Sequence, residues 1–521
     1  EFQQENDDSP TICNMFPRDS EIFSFTSPSR EKLKHKIDQL QALLGGVKNI
    51  DFSQLAYSIF LDSYRYQPKN PDCRLNIIAS SLEDLKNKLK AVQSSLDKQK
   101  DNVRQEVLGI YYAEEQALNR SNDTSRPVCF LYPGQGSQKV NMLRDLVVSM
   151  PQTYTLLDLP DQYTEGGYDI HLSDYIFPEP VFSNLERRNQ QKALNQTQVA
   201  QPAMGVVNLI CHDILSSFGI RPNMVAGHSY GEYVALCTAG VLSRKDLIQL
   251  SESRGKMIAK FSNQNTGTMA AVQADAETTS RIIEKKNLNV TIANYNSPVQ
   301  NVISGPIEDI DRSVEAFKSE KITIKKIPVT AAFHTKAMDS ISKDLKKTLK
   351  KISLKKPRLM VFSNGTSQQY PEEIDKVREY ISNHSSQSVR FEEMIKNMYQ
   401  AGARLFIEVG PGQVLTRLVQ NILGDVPHAA VPISVSGHSG WLQLHHLLAK
   451  VKSMGVPVDL QPCFDGRGLL PLSIEDLFKK TREQAIQNPM VWRIFGGRAE
   501  PLHTSHEKII APSQKQDNTG S

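Results

Sequence analysis

The 521-residue sequence lacks the features that several protein classes require. Six cysteines, at positions 13, 73, 129, 211, 237 and 463, show neither a metal-ligand spacing nor a disulfide framework. This predicts no metal site and favours a reducing, cytoplasmic compartment. No apolar run approaches the roughly 20 residues that span a bilayer, and no signal peptide is visible, so no membrane association is expected. The 61 basic and 57 acidic side chains nearly cancel, so nothing indicates a nucleic-acid partner.

The most informative motif that is present is the hexapeptide G-H-S-Y-G-E at residues 227–232. It lies between the apolar runs 224–226 and 233–236, which predicts a strand, a sharp turn and a helix. A serine at such a turn is a nucleophile elbow: the glycines two residues before and after allow the bend, and Ser229 stands exposed. The backbone N–H of Tyr230 and the start of the helix then face any negative charge that forms beside the serine.

His334, in A-A-F-H at residues 331–334, is the candidate base for Ser229. A histidine at the end of an apolar stretch is more often structural, and the further motifs of the chain reverse that preference. An α/β-hydrolase would carry its acid between the serine and the histidine. No acid partner for His334 is apparent in this sequence.

Several glycine-rich and polar motifs accompany this pair. The apolar stretch 128–132 predicts a buried strand that leads into P-G-Q-G-S-Q, where two glycines leave backbone amides free to face a ligand. This loop lacks the lysine of a P-loop and the spacing of a dinucleotide fingerprint. The remaining motifs are T-Q-V-A-Q-P-A at 197–203, R-G-K-M at 254–257, N-Y-N-S-P at 294–298 and E-V-G-P-G at 408–412.

In this order and spacing, the motifs between residues 126 and 430 resemble those of the malonyl-CoA:acyl carrier protein transacylase family. That family includes the acyltransferase domains of polyketide and fatty acid synthases. The resemblance implies transfer of a malonyl-type extender unit from CoA, through an acyl-serine, to the phosphopantetheine thiol of an acyl carrier protein. It implies acyl-CoA as substrate and no bound cofactor.

The resemblance also implies the catalytic roles. Ser229 is the nucleophile and His334 the base, which takes the serine proton and later that of the carrier thiol. The backbone N–H groups of Gln135 and Tyr230 form the oxyanion hole.

Substrate recognition is assigned in the same way. Arg254 occupies the position that clamps the free malonyl carboxylate, which a guanidinium binds through two parallel hydrogen bonds. Phe333 resembles malonyl-selecting members, although Ala331 departs from the frequent H-A-F-H spelling. His228 is expected to bind substrate, and Asn296 to support the site. A helix-surface arginine in a solvated pair is the alternative interpretation of Arg254.

The support of the base is a second departure from the family. There, a glutamine or asparagine lies seven residues before the aromatic of the segment that is Ser388–Phe391 here. Counting back reaches His384, with Asn383 adjacent. His384 is favoured narrowly as the hydrogen-bonding partner of His334, and a one-residue slip that brings in Asn383 stays open.

The predicted fold class is α/β, with a hydrolase-like core, a parallel sheet and a nucleophile elbow. Residues 268–330 show the order β-α-β-β-α-β, which predicts a ferredoxin-like insert. The active site is expected in the cleft between insert and core.

The flanks predict further units. At the N-terminus we expect a small α/β linker: a helix from Ser27-Pro28 to Gly45-Gly46, a strand at 73–79, and a helix capped by Ser80 and Glu83. The expected domains are a ketosynthase-to-acyltransferase linker (1–125), a large subdomain (126–267 and 331–430), the small subdomain (268–330), a post-acyltransferase linker (431–512) and a disordered tail (513–521). The chain is therefore expected to be a fragment of a larger synthase, with the ketosynthase domain as a partner.

Two other functions are considered. A proofreading acyl-thioester hydrolase of this fold shares Ser229 and His334 and usually lacks the arginine, so Arg254 argues for transfer. A non-catalytic scaffold is expected to have lost Ser229 or His334, and both are present. The lysine-rich stretch 343–356 would suit an acidic carrier protein, and a solvated helix face is the favoured interpretation.

Overall fold

Helices alternate with short strands along most of the chain. The computed structural model describes residues 18–47, 49–65, 73–97, 104–105, 108–114, 127–163, 170–262, 267–329, 331–487, 492–495 and 498–501. The strands are β1 (Glu21–Ser27), β2 (Cys73–Ala79), β3 (Arg104–Gln105), β4 (Ile110–Glu114), β5 (Val128–Tyr132), β6 (Met224–Gly227), β7 (Gly267–Val272), β8 (Thr291–Ser297), β9 (Gln300–Pro306), β10 (Ile324–Ile327), β11 (Met360–Val361), β12 (Leu405–Glu408), β13 (Ala429–Pro432), β14 (Trp492–Phe495) and β15 (Arg498–Pro501).

The α-helices differ widely in length. They are α1 (Arg30–Gly45), α2 (Phe52–Arg65), α3 (Leu82–Asp97), α4 (Arg144–Ser149), α5 (Tyr154–Leu157), α6 (Leu159–Tyr163), α7 (Leu172–Ile176), α8 (Asn184–Leu194), α9 (Thr197–Ser217), α10 (Gly231–Thr238), α11 (Arg244–Ser262), α12 (Ala276–Lys285), α13 (Ile307–Ser319), α14 (Asp339–Leu349), α15 (Ile374–Asn383), α16 (Phe391–Gln400), α17 (Val414–Leu423), α18 (Gly440–Ser453) and α19 (Ile474–Gln487). Short 3₁₀ turns occur at Pro151–Thr153, Lys336–Met338 and Gln461–Cys463.

A five-stranded parallel sheet in the order β11-β6-β5-β12-β13 forms the core. Its strands are almost wholly buried, as expected where helices cover both faces. Because β5 and β6 are neighbours, the loops that follow them meet at the carboxyl edge of the sheet, where open α/β sheets bind ligands. This confirms the predicted α/β class with a parallel sheet.

The small subdomain follows the predicted order of strands and helices. Its antiparallel sheet has the order β10-β7-β9-β8, with α12 and α13 in the two crossovers. A cluster that includes Ile282, Ile303 and Phe317 fills the space between sheet and helices. These strands and helices therefore share an apolar core of their own.

The N-terminal segment contains a second antiparallel sheet, β1-β2-β4-β3, covered by helices. Strand β2 and the stop of α1 at Gly46 are as predicted. The predicted starts of the two helices are wrong, by two residues for α1 and by one for α3. Pro28 is predicted at the first helical position, but α1 begins at Arg30 and Ser29 caps it, and Ser81, not Ser80, accepts the N–H of Asp84 to cap α3. Each serine at the actual cap lies three residues before the N–H that it accepts.

The segment after β13 packs back onto the N-terminal sheet. Arg467 forms a two-pronged ion pair with Glu21 of β1, at 2.5 and 3.0 Å, with Ser53 beside it. The predicted domain boundaries stay predictions, and the expected tail at 513–521 lies outside the described residues. In the part of the chain that is described, no helix is both long and apolar enough to cross a bilayer.

Candidate active site

The bend of the G-H-S-Y-G-E motif is at the serine. Ser229 has φ of 50°, an uncommon left-handed conformation for a residue with a side chain. The flanking glycines allow close packing. A Cβ added to Gly227 would lie 1.9 Å from the carbonyl carbon of Gly231, and a Cβ added to Gly231 would lie 1.9 Å from the carbonyl oxygen of Tyr132. The elbow therefore needs glycine on both sides because the backbone of β5 and of α10 leaves no room for a side chain.

Ser229 and His334 meet at the elbow as predicted. The Ser229 Oγ lies 2.7 Å from His334 Nε2, within hydrogen-bond reach of a nucleophile and its base. His334 also has a left-handed backbone, with φ of 60°, and its N–H donates to the carbonyl of Ser385 at 3.1 Å. The hydrogen bond between Ser229 and His334 is thus formed by two residues with left-handed backbones.

The other imidazole nitrogen of His334 faces main-chain carbonyls. His334 Nδ1 lies 3.0 Å from the carbonyl oxygen of Gln387 and 3.3 Å from that of His384. Since a carbonyl can only accept, Nδ1 carries the proton, and Nε2 presents its lone pair to the Ser229 hydroxyl. The partners of the base are therefore the main-chain carbonyls of Gln387 and His384, and not the imidazole of His384. Asn383 contributes no side-chain contact to His334 among the described residues.

Burial keeps His334 neutral. Burial, which is the largest cause, the positive charge of Arg254 and the neighbouring His228 together lower the pKa of the imidazole to about 3. A neutral imidazole with a free Nε2 lone pair is the form that can accept a proton from serine.

Two backbone N–H groups lie beside the nucleophile. A Cβ on Gly134 would lie 2.4 Å from the carbonyl oxygen of His228 and 3.2 Å from the nitrogen of Tyr230, so the loop after β5 packs directly on the elbow. The peptide that carries the Gln135 N–H is thereby brought next to that of Tyr230. Neither N–H has an acceptor within the described part of the chain. Two such donors are what an oxyanion hole requires.

The T-Q-V-A-Q-P-A motif at the start of α9 holds Gln135 in place. The Gln135 amide donates to Thr197 Oγ1 at 3.2 Å, and its oxygen accepts from Gln201 Nε2 at 3.3 Å. Behind it, Gly255 of R-G-K-M allows α11 to pack against α9, since a Cβ there would lie 2.7 Å from Gln198. Thr197 and Gln201 thus act on the site through hydrogen bonds to Gln135, and Gly255 acts through packing.

Arg254 is the largest fully buried side chain near the site, at 1% exposure. Its Nε donates to Ser385 Oγ at 3.3 Å, and its guanidinium carbon lies 5.1 Å from the centre of the Tyr233 ring. No carboxylate pairs with it among the described residues. The alternative of a solvated surface pair is therefore wrong. A buried cation without a counter-charge is costly unless an anion joins it.

His228 connects the elbow to the small subdomain. Its Nε2 lies 2.8 Å from Asn296 Oδ1 on β8, and its ring lies edge-on to Phe391 at 5.2 Å. The amide of Asn296 in turn donates to Gln300 at 3.2 Å. The supporting role of Asn296 and the substrate contact of His228 stay predictions.

Phe333 belongs to an apolar cluster at the junction of the two subdomains. The cluster includes Ile258, Met269 and Ala331. Phe333 is 8% exposed and Ala331 fully buried, so a histidine in place of Ala331 would enter an apolar environment. The selectivity role of Phe333 stays a prediction.

Asn364, just after β11, was not identified from the sequence. Its Oδ1 accepts the Ser229 N–H at 2.7 Å, and its Nδ2 donates to the carbonyl of Gly227 at 2.6 Å. Its own N–H donates to Glu232 at 2.6 Å, and Tyr370 donates to the same carboxyl group. Asn364 thus hydrogen-bonds to the backbone of both Gly227 and Ser229. Glu232, the last residue of G-H-S-Y-G-E, accepts the N–H of Asn364 and so fixes its position. The local sequence S-N-G-T is typical of an ordinary turn and gave no signal.

His384 and Glu232 form a buried pair behind the base. His384 Nε2 lies 3.7 Å from Glu232 Oε2, and the His384 ring stands edge-on to His334 at 5.5 Å. Burial raises the pKa of Glu232 to about 7 and lowers the pKa of His384 well below its ordinary value. His384 is therefore favoured in its neutral form, and the carboxyl group of Glu232 gains or loses its proton near neutral pH.

No group of three or more His, Cys, Asp or Glu side chains that could hold a metal ion occurs in the described ranges. The site is built from a serine, histidines, amides and an arginine.

Residues 129–451 match the family of the acyl transferase domain, which is more than half of the chain. The chain belongs to that family. It is 33% identical over 302 residues to the malonyl CoA-acyl carrier protein transacylase of Bacillus subtilis, covering 57% of this chain and 90% of that protein. It is 30% identical over 408 residues to a polyunsaturated fatty acid synthase polypeptide of Thraustochytrium sp., covering 76% of this chain.

The latter match covers 14% of the length of the synthase polypeptide. Among solved structures, the acyl transferase domain of ZmaA superposes with a TM-score of 0.71 at 20% identity, covering 88% of this chain and 99% of that one. At that identity the likeness shows the fold, and it extends well beyond the family match into the flanking segments.

Proposed function

We propose that this acyl transferase moves a malonyl group from CoA to the phosphopantetheine thiol of an acyl carrier protein. The observation that carries the proposal is the 2.7 Å Ser229–His334 pair with the unpaired, buried guanidinium of Arg254 beside it. The likeness to the Bacillus subtilis transacylase supports the choice of malonyl-CoA and carrier protein.

The first half-reaction acylates the serine. His334 Nε2 takes the Ser229 proton as Oγ attacks the thioester carbonyl, and the N–H groups of Gln135 and Tyr230 stabilise the oxyanion. The tetrahedral intermediate collapses with release of CoA, whose sulfur receives the proton from His334. In the second half-reaction the carrier thiol gives its proton to His334 and attacks the ester, and the proton returns to Ser229.

His334 accepts protons without an acidic partner. The Gln387 and His384 carbonyls fix its tautomer and ring orientation. They supply no full negative charge, so the imidazolium forms only while the substrate oxyanion is present. The positive charge of Arg254, which lowers the pKa of His334, also disfavours the protonated imidazole when no oxyanion is present.

Arg254 is the proposed malonyl carboxylate site. Ser385 Oγ accepts from the Nε of Arg254 and so orients the guanidinium. A free carboxylate there would supply the missing counter-charge. Hydrolysis to a free acid, the alternative for this fold, is not favoured, because an unpaired arginine suits a diacid half-thioester and the Bacillus subtilis relative is a transacylase.

The chain arrangement gives a further part of the proposal. We take residues 126–430 as the catalytic unit, with the segment before it and residues 431–512 as the linkers of a multidomain synthase. The match to a small fraction of a much longer synthase polypeptide supports this arrangement, with a ketosynthase domain of the same synthase as neighbour.

Intact-mass spectrometry after mixing with malonyl-CoA tests the function. One malonyl group is expected on the wild-type chain and none on Ser229→Ala. Ser439→Ala, which removes a serine from the second G-H-S sequence of the chain, is the matched control and should label normally. Labelling that persists in Ser229→Ala would contradict the nucleophile assignment.

A further inference from the structure

A cleft of about 1120 Å³ lies between the large core and the small subdomain. Gln135 lines it, and the loop that carries Gln135 packs on the elbow. Its walls combine amide side chains of the segment 195–198 with the apolar stretch 327–329. Such a lining suits a flexible arm that carries both amides and methylenes.

The charges that line this cleft have one sign. Arg188 and Lys192 of α8 and Lys326 of β10 are the charged residues of its wall, and no carboxylate lines it within the described ranges. Lys326 pairs with Asp311, so part of its charge is already balanced. Arg188 and Lys192 have no ion-pair partner among the residues that the structure describes.

Arg188 and Lys192 also lie one helical turn apart. Like charges at positions i and i+4 of a helix repel each other. An anion bound between them would remove that repulsion, which is a second reason to expect a ligand at this place.

Helix α8 is held rigidly against the active-site loop. Gln191 Oε1 accepts the N–H of Val140 at 3.1 Å, and Gln138 Nε2 donates to Asn195 Oδ1 at 3.0 Å. The backbone of α8 therefore keeps a fixed position relative to Gln135, and it carries the exposed side chains of Arg188 and Lys192. They can act as an anchor at a set distance from Ser229.

We propose that Arg188 and Lys192 bind the phosphate groups of the donor CoA while its pantetheine arm follows the cleft to Ser229. This inference rests on the proposed function. A phosphate ester next to a pantetheine arm occurs both in CoA and on the carrier protein. The diphosphate and 3′-phosphate of CoA match two unpaired cations better than the single phosphodiester of the carrier does.

Acylation kinetics on two thioesters test the proposal. Malonyl-CoA carries the phosphates, and malonyl-pantetheine carries the same acyl group and arm without them. In the double variant Arg188→Ala/Lys192→Ala, we expect the KM for malonyl-CoA to rise about tenfold with kcat unchanged, as suits two solvent-screened ion pairs. The KM for malonyl-pantetheine should stay the same. Added salt should raise the wild-type KM for malonyl-CoA more than that of the variant.

Arg187→Ala is the matched control. Arg187 is an exposed neighbour that contacts Asn184 and does not line the cleft, so its removal should leave both KM values unchanged. A second arm measures transfer from the malonyl-enzyme to a holo carrier protein, and the double variant should perform it at the wild-type rate.

Three results would overturn the inference: equal KM values for variant and wild type, an equal rise with both thioesters, or a larger loss in the carrier arm. Failure of the proposed function looks different, because then neither thioester labels Ser229 in the wild-type chain.

Discussion

Replacing Arg254 with alanine should change which acyl group the protein accepts. Arg254 is 1% exposed, and it donates a 3.3 Å hydrogen bond to Ser385. A malonyl carboxylate bound in the variant would be buried without its partner. The loss of one side of a desolvated charge pair costs about 2–5 kcal/mol. At about 1.4 kcal/mol per tenfold, malonyl acylation should fall by roughly 30-fold to 4000-fold.

An acetyl group has no carboxylate, so it should lose nothing comparable. Removing Arg254 takes away one cause of the low pKa of His334, so that pKa should rise. Burial is the larger cause and keeps the imidazole neutral at about pH 7.5. Acetyl transfer in Arg254→Ala should therefore equal or exceed that of the wild type.

The assay is competition between malonyl-CoA and acetyl-CoA, with the mass of the acyl-enzyme as readout. Arg254→Lys keeps the charge without the planar fork and should recover only part of the malonyl selectivity. Lys256→Ala, an exposed residue of the same helix that pairs with Glu252, is the control and should keep the wild-type preference. An equal fall with both thioesters would mean that Arg254 is structural and would refute the carboxylate site.

The remaining predictions concern the base and the elbow. His334→Ala should keep its fold and slow acylation by a factor of about 10² or more in stopped-flow assays, and a greater loss in His384→Ala would contradict the base assignment. Because the pKa of His334 is about 3, the acylation rate at saturating malonyl-CoA should not change from about pH 5 to 8. A rate that falls with decreasing pH around pH 6.5 would show that the site does not keep this imidazole neutral. Asn364→Ala leaves the Ser229 N–H and the Gly227 carbonyl without partners, which should lower the free energy of unfolding by about 2–4 kcal/mol in urea titrations, whereas an unchanged midpoint would show that the elbow stands without it.

The pH prediction has a counterpart in stability. Below pH 6.5 the unfolded chain binds a proton on His334, and the folded chain does not until the pH falls to about 3. The contribution of His334 is thus complete above pH 6.5 and is lost as the pH falls from 6.5 to about 3. The unfolding free energies of wild type and His334→Gln should converge over that range.

Much of the fold could be predicted because its signals are local. The apolar run 224–226, the glycines around Ser229 and the apolar helix that follows specify a strand, an elbow and a helix within a short stretch of chain. The alternation of elements from 268 to 330 likewise specified the small subdomain. The errors at Pro28 and Ser80 are also local. The serines on either side of Pro28, and the adjacent Ser80 and Ser81, each offer two possible caps, and only the backbone geometry selects between them.

The sequence by itself thus identified the family and predicted the nucleophile and the base, since each prediction rests on short motifs. Tertiary structure alone decided what holds them. Asn364 reaches the Ser229 N–H across 135 positions because β11 pairs with β6 in the sheet. The His384 carbonyl supports the base, whereas its imidazole turns towards Glu232. Main-chain carbonyls are the same for every residue type, so no sequence pattern can mark which of them a histidine will find.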